Sequence, residues 1–226
     1  MSASLSDAIA DRLSVIRQNI PDSVRLIAVS KQMPVEAIRA AYAAGLRDFG
    51  ESRIQEAEAK QDALRDLTDI TWHLIGHLQS NKAAKAIELF QWIHSVDDLK
   101  LAQRLNQLAS DRTAKPSVCL QVKIVPDPNK FGWTVPDLLN DLPALAQCTH
   151  LNVVGLMVIP PYGLPADETL SIFNQARQLA EKIRQQSWPN LTMDQLSMGM
   201  SDDYPLAIQA GSTLVRLGRI LFGERA

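Results

Sequence analysis

Cysteine is scarce in these 226 residues. There are only two, Cys119 in an apolar run and Cys148 beside polar residues, and the ordinary reading is a pair of reduced thiols with at least one in the core. An excess of one charge is also missing. The 23 basic residues nearly balance the 25 acidic ones, leaving −2, so no electrostatic footprint argues for nucleic acid or a membrane surface. No stretch approaches the ~20 apolar residues that span a bilayer. The opening MSASLSDAIADRLSVI carries acids and a helical apolar period, where a signal peptide needs a basic start and an unbroken apolar run. A soluble, cytoplasmic protein is the expectation. G-x-S-x-G, the P-loop and G-x-G-x-x-G are absent too, which removes the best-marked hydrolase and nucleotide sites.

What remains is a globular composition. Hydrophobic residues make up 46%, and 10 glycines with 12 prolines are too few for a disordered or fibrous chain. The length suits one α/β barrel but not a barrel plus a second domain of ordinary size, so residues 1–226 are expected to form a single domain.

Strand-like and helix-like patterns alternate along the whole chain. An opening helix over about 4–19 precedes RLIAVSK, which reads as a buried strand. PVEAIRAAYAAG reads as a helix with Pro34 in its first turn and Gly45 just past its end. DFGE leads into a helix from Ser52 to about Leu67, TWHLIG into one near Asn81–Leu89, and FQWIHSV into one opening at Asp97. SVCLQVKIV and LNVVGLMVI precede helices near Val135–Ala146 and Asp167–Gln186, and short apolar runs at Met193–Met198 and Thr213–Leu217 complete the series. The strands are continuously apolar, as in a parallel sheet covered on both faces. About eight such units predict a closed (β/α)8 TIM barrel with an extra N-terminal helix.

In that fold the βα loops converge at the carboxyl ends of the strands, and the site lies there. Lys31 directly follows LIAVS; it is either an ordinary solvent lysine or a partly desolvated amine available to a carbonyl. Ser201 follows a strand and opens a helix, so it reads as an N-cap whose neighbouring N–H groups could also meet an anion, although Asp202 and Asp203 oppose one. Gly218 stands between Arg216 and Arg219 after the last strand, where phosphate sites recur in barrels. Arg216 itself points either into the barrel mouth or outward. His73 and His77 are four apart across a strand end and Gly76, with no third metal ligand obvious; His73 reads as a satisfied core histidine and His77 as a rim residue.

Five segments in order, AVSK, FGESRIQEAEAK, WHLIGHLQSNK, GLM and LSMGMSDDYPLAIQAGSTLVRLGRILFG, closely resemble the pyridoxal phosphate homeostasis protein family, single-domain relatives of bacterial alanine racemase. The resemblance runs from about Leu26 to Gly223. It implies a fold type III barrel binding pyridoxal 5′-phosphate. Lys31 would form the internal Schiff base, Arg216 would face the pyridine nitrogen, and Ser201 with the backbone of Gly218 and Arg219 would hold the phosphate. Met200 and His77 would lie near the cofactor. Ser52 replaces an asparagine usual in the family, and Lys123 sits where its strand commonly carries asparagine, which puts local polar contacts in doubt.

The resemblance implies a non-catalytic carrier or buffer acting in vitamin B6 and amino acid balance, with apo-enzymes that need pyridoxal phosphate as possible recipients. An amino acid racemase of low activity is the alternative, and non-covalent binding of another phosphorylated metabolite is a third. Racemization needs an acid/base on each face of the α-carbon. In the racemases the second is a tyrosine delivered across a dimer by an added β domain. The chain ends at Ala226, and none of Tyr42, Tyr162 and Tyr204 lies in a matching motif, so a non-enzymatic monomer is expected.

Overall fold

The computed structural model describes residues 4–223. The limits Met1 and Ala226 used above therefore lie outside the described residues. Helix α1 (Leu5–Gln18) is capped by Ser4, whose hydroxyl accepts from the Asp7 amide while the Asp7 carboxylate reaches back to Ser4. It buries Ile9, Leu13 and Ile16, one face at helical spacing.

Eight parallel strands close the barrel: β1 (Arg25–Val29), β2 (Asp48–Glu51), β3 (Thr71–Leu74), β4 (Trp92–Val96), β5 (Ser117–Lys123), β7 (Asn152–Met157), β8 (Leu191–Ser197) and β9 (Leu214–Leu217). Pairing of β4 with β5 and of β1 with β9 completes the ring, so no barrel edge is left open. A two-residue strand, β6 (Trp133–Thr134), adds only to the end of β5.

The helices between them are α2 (Val35–Ala43), α3 (Ile54–Ala63), α4 (Ala83–Leu89), α5 (Leu99–Leu108), α6 (Val135–Leu145), α7 (Ala166–Arg184), α8 (Tyr204–Gln209) and α9 (Arg219–Phe222). Several boundaries differ from the sequence expectation for local reasons. Pro34 stands at the cap of α2 and not within its first turn. The cap of α5 is Asp98, whose carboxylate accepts from the Leu101 amide, so Asp97 is left outside the helix. A 3-10 turn (Ser80–Lys82) takes the place of the first residues expected in α4.

Two layers differ in character. The main apolar cluster lies between strands and helices and includes Phe49, Leu74, Ile93, Leu120 and Phe173. Inside the barrel, alternate positions of the same strands carry polar groups: His73, His94, Ser197 and Arg216 are all buried there. Gly155 on β7 is required by the closeness of β8, since a Cβ would lie 1.7 Å from the Gln195 carbonyl oxygen. No described helix is long and apolar enough to cross a membrane.

Candidate functional site

At the carboxyl ends of the strands a cleft of about 460 Å³ opens, within the size range of small-molecule sites. Lys31, Met200, Ser201, Arg216, Gly218 and Arg219 all line it. Six of the seven candidate residues are thus brought together from three separate loops and one strand.

Lys31 is fixed by its neighbours in sequence. It leaves β1 between Ser30, which is buried, and Gln32, which takes a left-handed φ of +62°. Helix α3 holds both flanks. The Lys60 ammonium donates to the Ser30 carbonyl at 2.7 Å and also to Glu51 Oε1 at 2.8 Å and Glu56 Oε1 at 2.7 Å. The Glu56 carboxylate in turn accepts from the Gln32 amide. Burial pushes the Glu51 carboxyl up, while its bonds to Lys60 and Ser30 pull it back only in part. Lys31 is half-buried and projects from a turn that cannot shift without breaking this cluster.

The opposite loops are tied to each other. Ser201 does not cap a helix, as its place after a strand suggested. Instead α8 starts at Tyr204 behind Asp203, whose carboxylate accepts from the Met200 amide at 2.6 Å. The Ser201 hydroxyl faces α9 and accepts from the Ile220 amide at 3.5 Å. Asp202 pairs with Arg219 at 2.5 Å, so its charge is offset and does not act alone against an anion. A Cβ on Gly218 would stand 3.4 Å from both Cβ and the carbonyl oxygen of Val29, leaving the backbone close against the wall formed by β1.

Arg216 points inward. It is 3% exposed, and its guanidinium donates to Ser197 Oγ at 2.6 Å and to the Val158 carbonyl at 3.2 Å. Both partners are neutral oxygens. Burial brings this guanidinium down to about 10, which leaves it charged at neutral pH.

His77 is placed elsewhere. It borders a neighbouring recess of about 290 Å³ that shares Ser52 with the cleft. Its Nδ1 meets Asp97 at 2.8 Å and its ring lies 3.6 Å from that of Phe131, nearly parallel. His73 is satisfied in the core, between Asp48 and His94. Of the two departures noted above, Ser52 lines the cleft, whereas Lys123 lines a separate recess beside Lys130. Inside the barrel, Ser197 and His94 escaped sequence reasoning, as did the Lys60 cluster that holds the Lys31 turn. Ser197 opens no motif of its own, and His94 sits in FQWIHSV, where only its alternation with Ile93 marks it as facing inward.

Residues 5–226 match the family model described as alanine racemase, N-terminal domain. The chain is 52% identical to the pyridoxal phosphate homeostasis protein of Synechocystis sp. over 213 residues, covering 94% of this chain and 96% of that one. The chain belongs to the pyridoxal phosphate homeostasis protein family. Another member, from Pseudomonas aeruginosa, is 45% identical over 91% of this chain and 86% of its own. Among family members of known structure, PipY of Synechococcus elongatus superposes with a TM-score of 0.91 at 54% identity, covers 95% of this chain and all of its own, and was solved with PLP bound. Alanine racemase of Clostridium difficile shares the fold at a TM-score of 0.75 and 15% identity; this chain spans 57% of its length.

Proposed function

We propose that this protein binds pyridoxal 5′-phosphate in the cleft, covalently through Lys31, and that it carries or buffers the vitamer in the cytoplasm without turning over a substrate. The reading is supported by one observation above all: the primary amine of Lys31 lines the same cleft as Ser201, Gly218 and Arg219. When bound, the vitamer supplies an aldehyde that condenses with a primary amine and a pyridine ring that can take up electrons.

The residues suit that guest. Lys31 would hold the aldehyde end through its amine, with loss of water. The Ser201 hydroxyl and the backbone N–H groups of Gly218 and Arg219 hold the phosphate, and glycine at 218 lets the main chain come near it. Arg216 would face the ring nitrogen. A fixed cation there disfavours protonation of that nitrogen and so weakens the ring as an electron acceptor, which favours carriage over carbanion chemistry. Met200 flanks the guest, and His77 reaches it only by way of the Ser52 rim. The protein acts as a single-domain monomer and hands its cargo to apo-enzymes that need pyridoxal phosphate.

Borohydride reduction followed by peptide mapping tests the attachment. A reduced pyridoxyl group on the peptide carrying Lys31 is expected; bound vitamer with Lys31 unmodified overturns it in favour of non-covalent binding of a phosphorylated metabolite.

A weak racemase is the second reading, because Tyr162 lines the cleft. That ring is 99% exposed, however, and an acid/base must be held in place to act. Single enantiomers of alanine incubated with pure protein should keep their optical purity over hours. Loss of purity in wild type but not in Tyr162→Phe would establish the racemase instead.

A further inference from the structure

Three buried polar residues and the partly exposed Asp48, none of them used by the proposed binding site, form a continuous line down the barrel. From Arg216 at the cleft, Nη1 donates to Ser197 Oγ at 2.6 Å. Ser197 Oγ lies 2.7 Å from His94 Nδ1, and His94 Nε2 lies 3.0 Å from His73 Nδ1. His73 Nε2 then meets Asp48 Oδ1 at 2.9 Å, near the other end of the strands. Ser197, His73 and His94 are fully buried, and Asp48 is only partly so.

The protons in this line can be assigned. A neutral imidazole has one donor and one acceptor nitrogen. The Asp48 carboxylate, also paired with Arg25 at 2.6 Å, is acceptor-only, so His73 carries its proton on Nε2 and presents Nδ1 as an acceptor. His94 must therefore donate from Nε2 and accept at Nδ1. The Ser197 hydroxyl then donates to His94, which leaves its lone pairs for Arg216. Every donation runs from Arg216 toward Asp48. The reverse order would set His73 Nε2 lone pair against carboxylate, which is repulsive. Among the other groups near the line, the Cys119 thiol is pushed up to about 12 by burial and stays neutral, and the Asp203 carboxylate attracts the Arg216 guanidinium.

We propose that Asp48, His73, His94 and Ser197 are positioning residues: their directed chain presents a fixed acceptor to Arg216 and so orients its remaining N–H groups toward the ligand in the cleft. This rests on the pyridoxal phosphate reading for the identity of the ligand only. The line couples a partly exposed carboxylate at one end of the barrel to the cation at the other.

Two measurements test it. The first uses unloaded wild-type protein: nitrogen NMR of its histidines should show the rings of His73 and His94 both protonated at Nε2. An Nδ1-protonated His94 overturns the chain whatever the cleft binds. The second compares His94→Gln with His94→Leu after loading with pyridoxal phosphate. Glutamine can accept from Ser197 and donate to His73, whereas leucine fills the space without either bond. His94→Gln should keep the wild-type absorption band and affinity; His94→Leu should shift the band and weaken binding about tenfold, the scale of a hydrogen bond to a charged group. Equal behaviour of the two folded variants overturns the positioning role. If the leucine variant does not fold, a glutamine variant that loses the wild-type band and affinity does the same. A wild-type protein that takes up no pyridoxal phosphate refutes the ligand reading, while the histidine spectrum still decides the chain.

Discussion

At the scale of single residues, the site is a set of side chains whose neighbours leave them little freedom. Lys31 owes its position to Lys60, a buried ammonium shared among the Ser30 carbonyl, Glu51 and Glu56. Replacing Lys60 by Met keeps much of the volume but strands the Glu51 carboxylate in the core, and breaking one partner of a buried pair costs about 3–5 kcal/mol. Chemical denaturation should show a loss of that size for Lys60→Met, and a smaller one for Lys60→Met/Glu51→Gln, because the double variant leaves no buried charge unpaired at position 51. Gly76 is a second sensitive point. A Cβ there would lie 2.3 Å from the Ser52 carbonyl oxygen, so Gly76→Ala must displace the β2 loop that lines the cleft. Weaker ligand binding, read by titration, is expected from that variant, along with a stability loss of about 1–3 kcal/mol.

At the scale of elements, packing between neighbouring strands decides what each position tolerates. Gly155 meets the Gln195 carbonyl across the β7–β8 pair, and the alanine variant should lose about 3 kcal/mol or more by thermal or urea unfolding. Gly163 has open space around it, and alanine there costs only the strain of its positive φ. Most of the elements could be read directly from the sequence, since long apolar runs alternating with helical periods leave few arrangements in a chain of this length. Lys31, Ser201 and Gly218 were legible because strand ends are where barrel sites gather. Their contacts were not. Whether Arg216 faced in or out depended on the barrel's closure, and the pairing of Asp202 with Arg219 joins loops 17 residues apart. His77 is held away from the cleft by Asp97 and Phe131, partners supplied by the loops after β4 and β5, which local spacing does not reveal. The same holds for His94 and Ser197, separated by 103 residues and joined only inside the barrel.

For the molecule as a whole, the buried polar line gives stability a pH dependence. Burial lowers the His73 and His94 imidazoles, so both stay neutral in the folded state, whereas unfolded histidines take up protons below about 6.5. Unfolding therefore binds protons as the pH falls. The stabilisation from these rings is complete above about 6.5 and declines beneath it, by at most about 1.4 kcal/mol per pH unit for each ring. Asp48 works at lower pH. Burial raises its carboxyl, but the bonds to His73 and Arg25 together hold it below the usual range, so its own contribution fades only under about 3.9. Urea unfolding between about pH 5 and 6.5 should show a slope shallower by about one proton in His94→Gln than in wild type; equal slopes would mean that His94 titrates alike in both states.

The proposed attachment of the vitamer is most directly read in the visible spectrum of freshly purified protein. Wild type and Lys31→Ala are compared before and after adding pyridoxal phosphate. A visible band that resists dialysis in wild type and is missing from the folded alanine variant is expected. A wild-type protein that stays colourless after the addition, or a variant with the same retained band, would contradict the assignment of Lys31.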